Sequence, residues 1–254
     1  MRHSGLPVES DLVPYAPGFP PGRRWLVLAP HPDDEVMGPG ATLAQAVARG
    51  VEVTLVVVTD GGAQGDAGDR EKEARAGAAA LGVPEPEFWR LPDRSLVPRH
   101  SVLRRRLRSA LESHRPDVVF VTSPIELHPD HRALALALQR VLRRSTLAGL
   151  RDRPPAWVAA YEVATPLHPN LLVSADEGWA AKRRAAACHG SQLSIRPYDR
   201  IMEAIGTLRV LTLTGVERAE ALHLLPARRV ARLSARGWAS AMGSPRGVTG
   251  SHQG

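Results

Sequence analysis

The chain has 254 residues, room for one α/β domain or two small ones, and its 43% apolar and 23% charged residues exclude wholesale disorder. A single cysteine, Cys188, excludes an internal disulfide and any metal site built on cysteine clusters. The net charge of +7 rests almost wholly on arginines scattered along the chain, and with 4% aromatic residues there is little to stack on bases, which argues against nucleic acid as the main partner.

Met1 to Arg23 is rich in proline and glycine and reads as an extended arm without the apolar segment of a secretory signal. No apolar run approaches the roughly 20 residues of a membrane span, so a cytoplasmic protein is expected. Trp25–Ala29 reads as a short apolar strand. Ala41–Arg49 has helical spacing and stops at Gly50. Val51–Thr59 is rich in β-branched residues, the mark of a strand. A glycine-rich loop, Asp60–Gly68, leads to an alanine-rich helix over Arg70–Leu81, closed by Gly82. Glu87–Leu91 reads as a strand, Val102–His114 as a helix with arginines outward, Asp117–Thr122 as a buried strand, Asp130–Arg143 as a helix and Ala156–Ala164 as a strand. Beyond Pro166 the pattern weakens to helices over Glu177–His189 and Asp199–Arg209. The domain is drawn over 24–225. Residues 226–254 read as a basic, partly disordered tail, with no acid after Glu220.

Strands alternating with helices imply βαβ units, and continuous apolar strands imply a sheet covered on both faces. The expected fold is therefore a single Rossmann-like α/β domain, doubly wound around a mostly parallel sheet with helices on both faces. The first strand–helix turn does not carry a dinucleotide fingerprint. Gly38 and Gly40 are present, but Leu43 stands where the third glycine belongs, and three acids precede them.

That turn reads Ala29-Pro30-His31-Pro32-Asp33-Asp34-Glu35. Three consecutive carboxylates repel one another, and a divalent cation is the simplest compensation. The second cluster, His128-Pro129-Asp130-His131, follows the fourth strand. In the doubly wound order the first and fourth strands are neighbours, so both clusters face one crevice at the carboxyl ends of the strands. Imidazole plus carboxylate without thiolate suits zinc or another first-row divalent ion. There are more candidate groups than ligands. The remainder can do proton work: a carboxylate as general base, a histidine facing an oxyanion.

These two motifs resemble the signatures of the PIG-L/LmbE-like zinc-dependent de-N-acetylases, which remove acetyl from N-acetylglucosamine units. Thr59-Asp60-Gly61-Gly62, Arg70 with Glu73, Leu91-Pro92-Asp93, Tyr161-Glu162-Val163, and Lys182 through His189 to Ser191-Gln192 are similar to further family segments, so the resemblance runs from about Trp25 to Gln192. It implies one Zn2+ held by His31, Asp34 and His131, with Asp33 as general base. It implies His128 as the charged group at the oxyanion and Asp130 as the residue that orients and tunes His128. Arg70 and Asp93 would contact the sugar, and Glu35 would brace the turn. The implied partner is a small N-acetylated aminosugar or conjugate, and a homo-oligomer is compatible with the sequence. One departure stands out: some members carry tyrosine two residues before the first histidine of the second motif, and here that residue is Glu126. The alternatives within this reading are hydrolysis of another N-acyl amide on the same site and a non-catalytic metal- or sugar-binding protein of the same fold.

Overall fold

The apolar runs of the sequence lie side by side in one sheet of the computed structural model, which describes residues 16–147 and 154–243. Strand β2 (Arg24–Ala29) sits between β3 (Glu52–Thr59) and β5 (Val118–Thr122), parallel to both. β4 (Glu87–Leu91) extends the sheet beyond β3, and β6 (Trp157–Tyr161) extends it beyond β5. The expected adjacency of the first and fourth apolar strands is thus borne out, with Trp25 opposite Val118 and Leu28 opposite Val121. Beyond β6 come three strands that the sequence pattern does not announce. β8 (Ala219–Pro226) runs antiparallel between β6 and β7 (Leu171–Ser174), and β1 (Ala16–Pro17) closes the edge parallel to β7.

Each strand sends alternate side chains to opposite faces, and both faces are buried. Leu26, Leu28, Val56, Val58, Val119 and Val121 pack under α4 (His100–His114), α5 (Pro129–Leu147), α9 (Ala227–Arg232) and α10 (Ala235–Gly243). Trp25, Val27, Leu55, Val118 and Phe120 pack under α2 (Gly40–Ala48), α3 (Ala67–Leu81), α6 (Asp176–Ala187) and α8 (Tyr198–Leu208). This double cover explains why the central strands are continuously apolar instead of alternating. It also fixes the strand ends relative to one another, which sets the geometry of the site. Among the described residues, no helix is long and apolar enough to cross a membrane.

The tail drawn from residue 226 needs correction. Ala227–Arg232 and Ala235–Gly243 are helices, and Trp238 and Met242 are buried in the same core as Leu134 and Leu138. Arg228, Arg229, Arg232 and Arg236 are exposed on the outer side of these turns, and their charge masks the apolar spacing in the sequence. The rest of that segment, 244–254, lies outside the described residues, as does most of the extended arm, 1–15. The end of the arm belongs to the domain: Ala16 and Pro17 pair with Leu171 and Leu172, and the Phe19 ring lies 5.4 Å from that of Trp25. Cys188, the single cysteine, is half-buried.

Helices α2 and α6 approach so closely that Gly178 is obligatory. A Cβ there would lie 2.2 Å from the carbonyl oxygen of Ala41. Helix propensity alone favours alanine over glycine by roughly 1 kcal/mol. Overlap with a backbone atom outweighs that gain, so Gly178→Ala is expected to destabilise the fold by about 1–3 kcal/mol or more. Urea denaturation reads the sign directly, and a more stable variant would contradict this packing.

Candidate metal centre

Because β2 and β5 are adjacent and parallel, the loops leaving their carboxyl ends open into one crevice. The first carries His31 and Asp33 and passes into the short helix α1 (Asp34–Met37). The second carries Glu126 and His128 and passes into α5, whose first turn holds Asp130 and His131. Asp33 has φ 136°, a conformation that L residues rarely adopt. Strain of this kind costs on the order of 1–3 kcal/mol and persists only where the surroundings enforce it. Here the Asp33 carbonyl accepts the N–H groups of Val36 and Met37, and the preceding Pro32 carbonyl accepts Arg70 Nη2 at 2.6 Å.

Three donor atoms converge in the crevice. His31 Nδ1 lies 3.2 Å from Asp34 Oδ2 and 3.1 Å from His131 Nε2, and His131 Nε2 lies 3.1 Å from Asp34 Oδ2. The triangle is nearly equilateral. Tetrahedral zinc with bonds of about 2.0–2.1 Å needs ligand atoms roughly 3.4 Å apart, close to what these residues offer. The outer ring nitrogens face carboxylates, as those of metal-ligating histidines usually do. His31 Nε2 is 3.1 Å from Asp93 Oδ1 and 3.6 Å from Asp130 Oδ2, and His131 Nδ1 is 3.6 Å from Glu126 Oε2. The donor set and its spacing therefore fit one divalent cation.

The electrostatics of the bare triangle point the same way. Burial alone would raise the pKa of Asp34, but the imidazoles of His131 and His31 hold it well below the carboxylate range. Burial alone would lower that of His131, but Asp34 and Glu126 push it up to about 9. His31 is raised, against its burial, by Asp130, Asp34 and Asp93. The pocket thus demands positive charge beside Asp34, which a cation would supply.

Asp33 stands beside the triangle. Burial and the negative charge of Asp34 push its pKa up to about 7, while Arg70 pulls the other way. Arg70 is itself buried and donates to Asp33 Oδ2 at 3.2 Å and to the Gly61 carbonyl at 3.3 Å. Gly61 has φ 65°, and a Cβ there would meet the Pro32 ring at 2.9 Å and the Arg70 guanidinium at 3.2 Å. Glu35 is fully buried, accepts the Asp33 N–H at 3.3 Å and is raised to about 8, chiefly by burial. It braces the turn, as expected.

His128 completes the group, with its ring 4.5 Å from that of His31, edge-on, and 5.2 Å from that of His131. The structure corrects one expectation here. The Asp130 carboxylate does not orient His128; it accepts the Leu96 N–H at 3.0 Å and faces His31. It is the backbone N–H of Asp130 that reaches His128, donating to Nδ1 at 3.2 Å. Burial and the neighbouring imidazoles lower the pKa of His128, against the charge expected on it, while the Asp130 carboxylate raises it and so does tune the ring. With Nδ1 accepting, the neutral ring carries its proton on Nε2.

The cavity over these groups is also lined by Arg70, Asp93, Met37, Gln64, Arg94, Val163, Ala164, Gln192 and Tyr198. Arg70 and Asp93 were expected to meet a sugar. Both line the cavity, and both are engaged within the protein, Asp93 Oδ2 accepting the Ala63 N–H at 3.2 Å. Gln64, Arg94 and Tyr198 carried no signal in the sequence. Gln192 did, in the Ser191-Gln192 pair: Ser191 donates to both oxygens of Glu73 at 2.7 and 2.6 Å, and Gln192 Nε2 reaches the Gln64 carbonyl at 3.1 Å. His189, next to them, is fully buried and lowered to about 4 by burial, so it is a neutral core residue against Gly77.

Behind the metal-side loop lies a buried ion pair. Lys182 Nζ donates to the Gly38 carbonyl at 2.7 Å and to Glu220 Oε1 at 2.6 Å. Glu220 in turn accepts the N–H groups of Ala41 and Thr42 and the Thr42 hydroxyl, at 2.6–2.8 Å. It thereby satisfies the free donors at the start of α2.

Comparison with known proteins places these features among relatives. The family model described as PIG-L, GlcNAc-PI de-N-acetylase, matches residues 26–142. The chain is 32% identical over 238 residues to a 1D-myo-inositol 2-acetamido-2-deoxy-alpha-D-glucopyranoside deacetylase of Mycolicibacterium vanbaalenii, covering 70% of this chain and 83% of the relative. It is 26% identical over 227 residues to the diacetylchitobiose deacetylase of Thermococcus kodakarensis, covering 80% and 84%. Among solved structures, N,N'-diacetylchitobiose deacetylase from Pyrococcus horikoshii superposes with a TM-score of 0.70 at 26% identity, over 82% of this chain and 85% of that one.

Proposed function

The chain belongs to the PIG-L family, and from that footing we propose that it is a zinc-dependent N-deacetylase acting on a small GlcNAc-containing molecule. The observation that carries the reading is the triangle of His31 Nδ1, Asp34 Oδ2 and His131 Nε2, with the Asp33 carboxylate and the His128 imidazole around the same cavity.

In this reading His31, Asp34 and His131 hold the ion, and Asp33, His128 and Arg70 manage the proton and charge movements. When bound, zinc would polarise the acetyl carbonyl and acidify water. Asp33 takes a proton from the attacking water at the carboxylate oxygen that Arg70 does not hold; a pKa near the working pH suits a general base. The His128 Nε2–H donates to the carbonyl oxygen as negative charge grows there. A neutral imidazole can do this, and burial favours that form. As the C–N bond breaks, Asp33 returns the proton to the leaving nitrogen, which departs as the free amine, and the acetyl group leaves as acetic acid, which ionises to acetate by giving its proton to solvent. Arg70 and Asp93 first hold Asp33 and His31 in place, and both also face the cavity where sugar hydroxyls would lie. Asp130, through its carboxylate, supports His31.

The test is amine release from free GlcNAc, diacetylchitobiose, GlcNAc-inositol and GlcNAc-malate, with metal content determined on the same sample. Chelator-sensitive deacetylation at about one metal per chain is the expected result. Metal without activity on any of the four would move the substrate to other N-acyl amides. Neither metal nor activity after reconstitution would sink the hydrolase reading.

A further inference from the structure

Glu126 is fully buried, and its one ion-pair partner among the described residues is His131. Burying a carboxylate is costly unless its lone pairs are satisfied. Here they are satisfied by a turn of backbone on the far side of the site. Oε1 accepts the N–H of Val163 at 2.7 Å and that of Thr165 at 3.3 Å, and the Ala164 N–H is shared between Oε1 and Oε2 at 3.3 and 3.2 Å. Val163 and Ala164 form part of the cavity wall. Oε2 faces His131 Nδ1, a buried nitrogen with no hydrogen-bond partner of its own. The other imidazole of the triangle is differently placed, since His31 Nε2 has two carboxylates beside it, Asp93 and Asp130.

Resting on the metal-hydrolase reading above, we infer that Glu126 is a positioning residue with two ends. One end fixes the His131 ring so that Nε2 faces the ligand triangle. The other fastens Val163–Thr165 as a wall of the cavity. Affinity for the ion and the shape of the substrate space are thereby tied through one carboxylate. Because among the described residues no second carboxylate faces His131 Nδ1, removing the charge of Glu126 costs more than removing either partner of His31 Nε2.

The two ends can be separated. Glu126→Gln keeps an acceptor for Val163 but loses the negative charge opposite His131, whereas Glu126→Ala removes both functions. Zinc affinity is measured by competition with a chromophoric chelator, and the wall by hydrogen exchange at the amides of 163–165. Glu126→Gln is expected to weaken zinc binding roughly 10–100-fold, the usual effect of removing an outer partner of a metal-ligating histidine, while those amides stay protected. Glu126→Ala is expected to weaken zinc binding and expose the amides as well. Asp93→Asn, which leaves Asp130 beside His31, should lose less affinity than Glu126→Gln. Should Glu126→Ala fail to fold, the near-isosteric glutamine variant still decides the matter. Zinc affinity of Glu126→Gln within twofold of wild type would overturn the inference while leaving the metal reading intact, provided His131→Ala loses zinc. Wild type binding zinc no better than His131→Ala would overturn both.

Discussion

Asp33→Ala is expected to abolish turnover while about one zinc per chain stays bound, and His131→Ala is expected to lose metal and activity together. The difference follows from position. His131 Nε2 is a corner of the ligand triangle, 3.1 Å from both His31 Nδ1 and Asp34 Oδ2. Asp33 lies outside it, turned to Arg70 at 3.2 Å, with a pKa near 7 that suits proton transfer rather than ligation. General-base catalysis of this kind contributes roughly 10²–10⁴-fold, so Asp33→Ala should lose at least that much in kcat. Metal analysis after dialysis, beside initial rates on the best substrate of the panel, reads both quantities. If Asp33→Ala lost zinc as completely as His131→Ala, the division of labour between ligand and base would be wrong.

Lys182→Met is expected to produce the largest loss of stability. The lysine and Glu220 are both buried, and Lys182 is the cation paired with that carboxylate. Methionine would fill the volume of the stem but leave a buried carboxylate facing only neutral donors and the Gly38 carbonyl without its partner. Breaking one half of a buried pair typically costs about 3–5 kcal/mol. At about 2–4 °C per kcal/mol for a chain of this size, that is a fall in Tm of roughly 10 °C. Lys182→Met/Glu220→Gln should recover part of the loss, because no uncompensated charge remains. A single variant melting within 2 °C or so of wild type would show that the pair is not what holds this loop.

The parallel half of the sheet was readable in advance because double burial writes itself as continuous apolar runs, as in Leu26 to Ala29 and Val118 to Val121. The site was readable for a related reason: the strand order forces His31 and His131 into one crevice however far apart they stand in the sequence. The antiparallel half was not. β8 contains Glu220 and His223, two residues that ordinarily signal solvent, and here both are buried and bonded to the chain around them. β7 is only four residues long, and the apolar spacing of α9 and α10 is hidden by arginines. The direction in which Asp130 points was equally hidden. Sequence places it between two histidines, but only the fold reveals that its carboxylate turns to Leu96 and His31 instead of His128. Glu126 illustrates the same gap, since its partners at 163–165 lie in the bend after β6, more than 35 residues on.

The reversed direction of β8 has a consequence for how the site comes into being. In an otherwise parallel sheet, the edge that carries the metal-side loops receives the last residues of each strand. β8 runs the other way, so its first residues reach that edge: Tyr161, at the end of β6, pairs with Leu222, and Glu220 lies beyond it, against α2. During synthesis His31, Asp34 and His131 all emerge before the residue that braces the loop bearing two of them. A nascent chain that has not yet delivered β8 holds every proposed ligand, yet Gly38, Ala41 and Thr42 still lack the Lys182–Glu220 bracket. Capture of the proposed ion early in synthesis would therefore occur on an unbraced loop, and the mature grip on it would wait for β8.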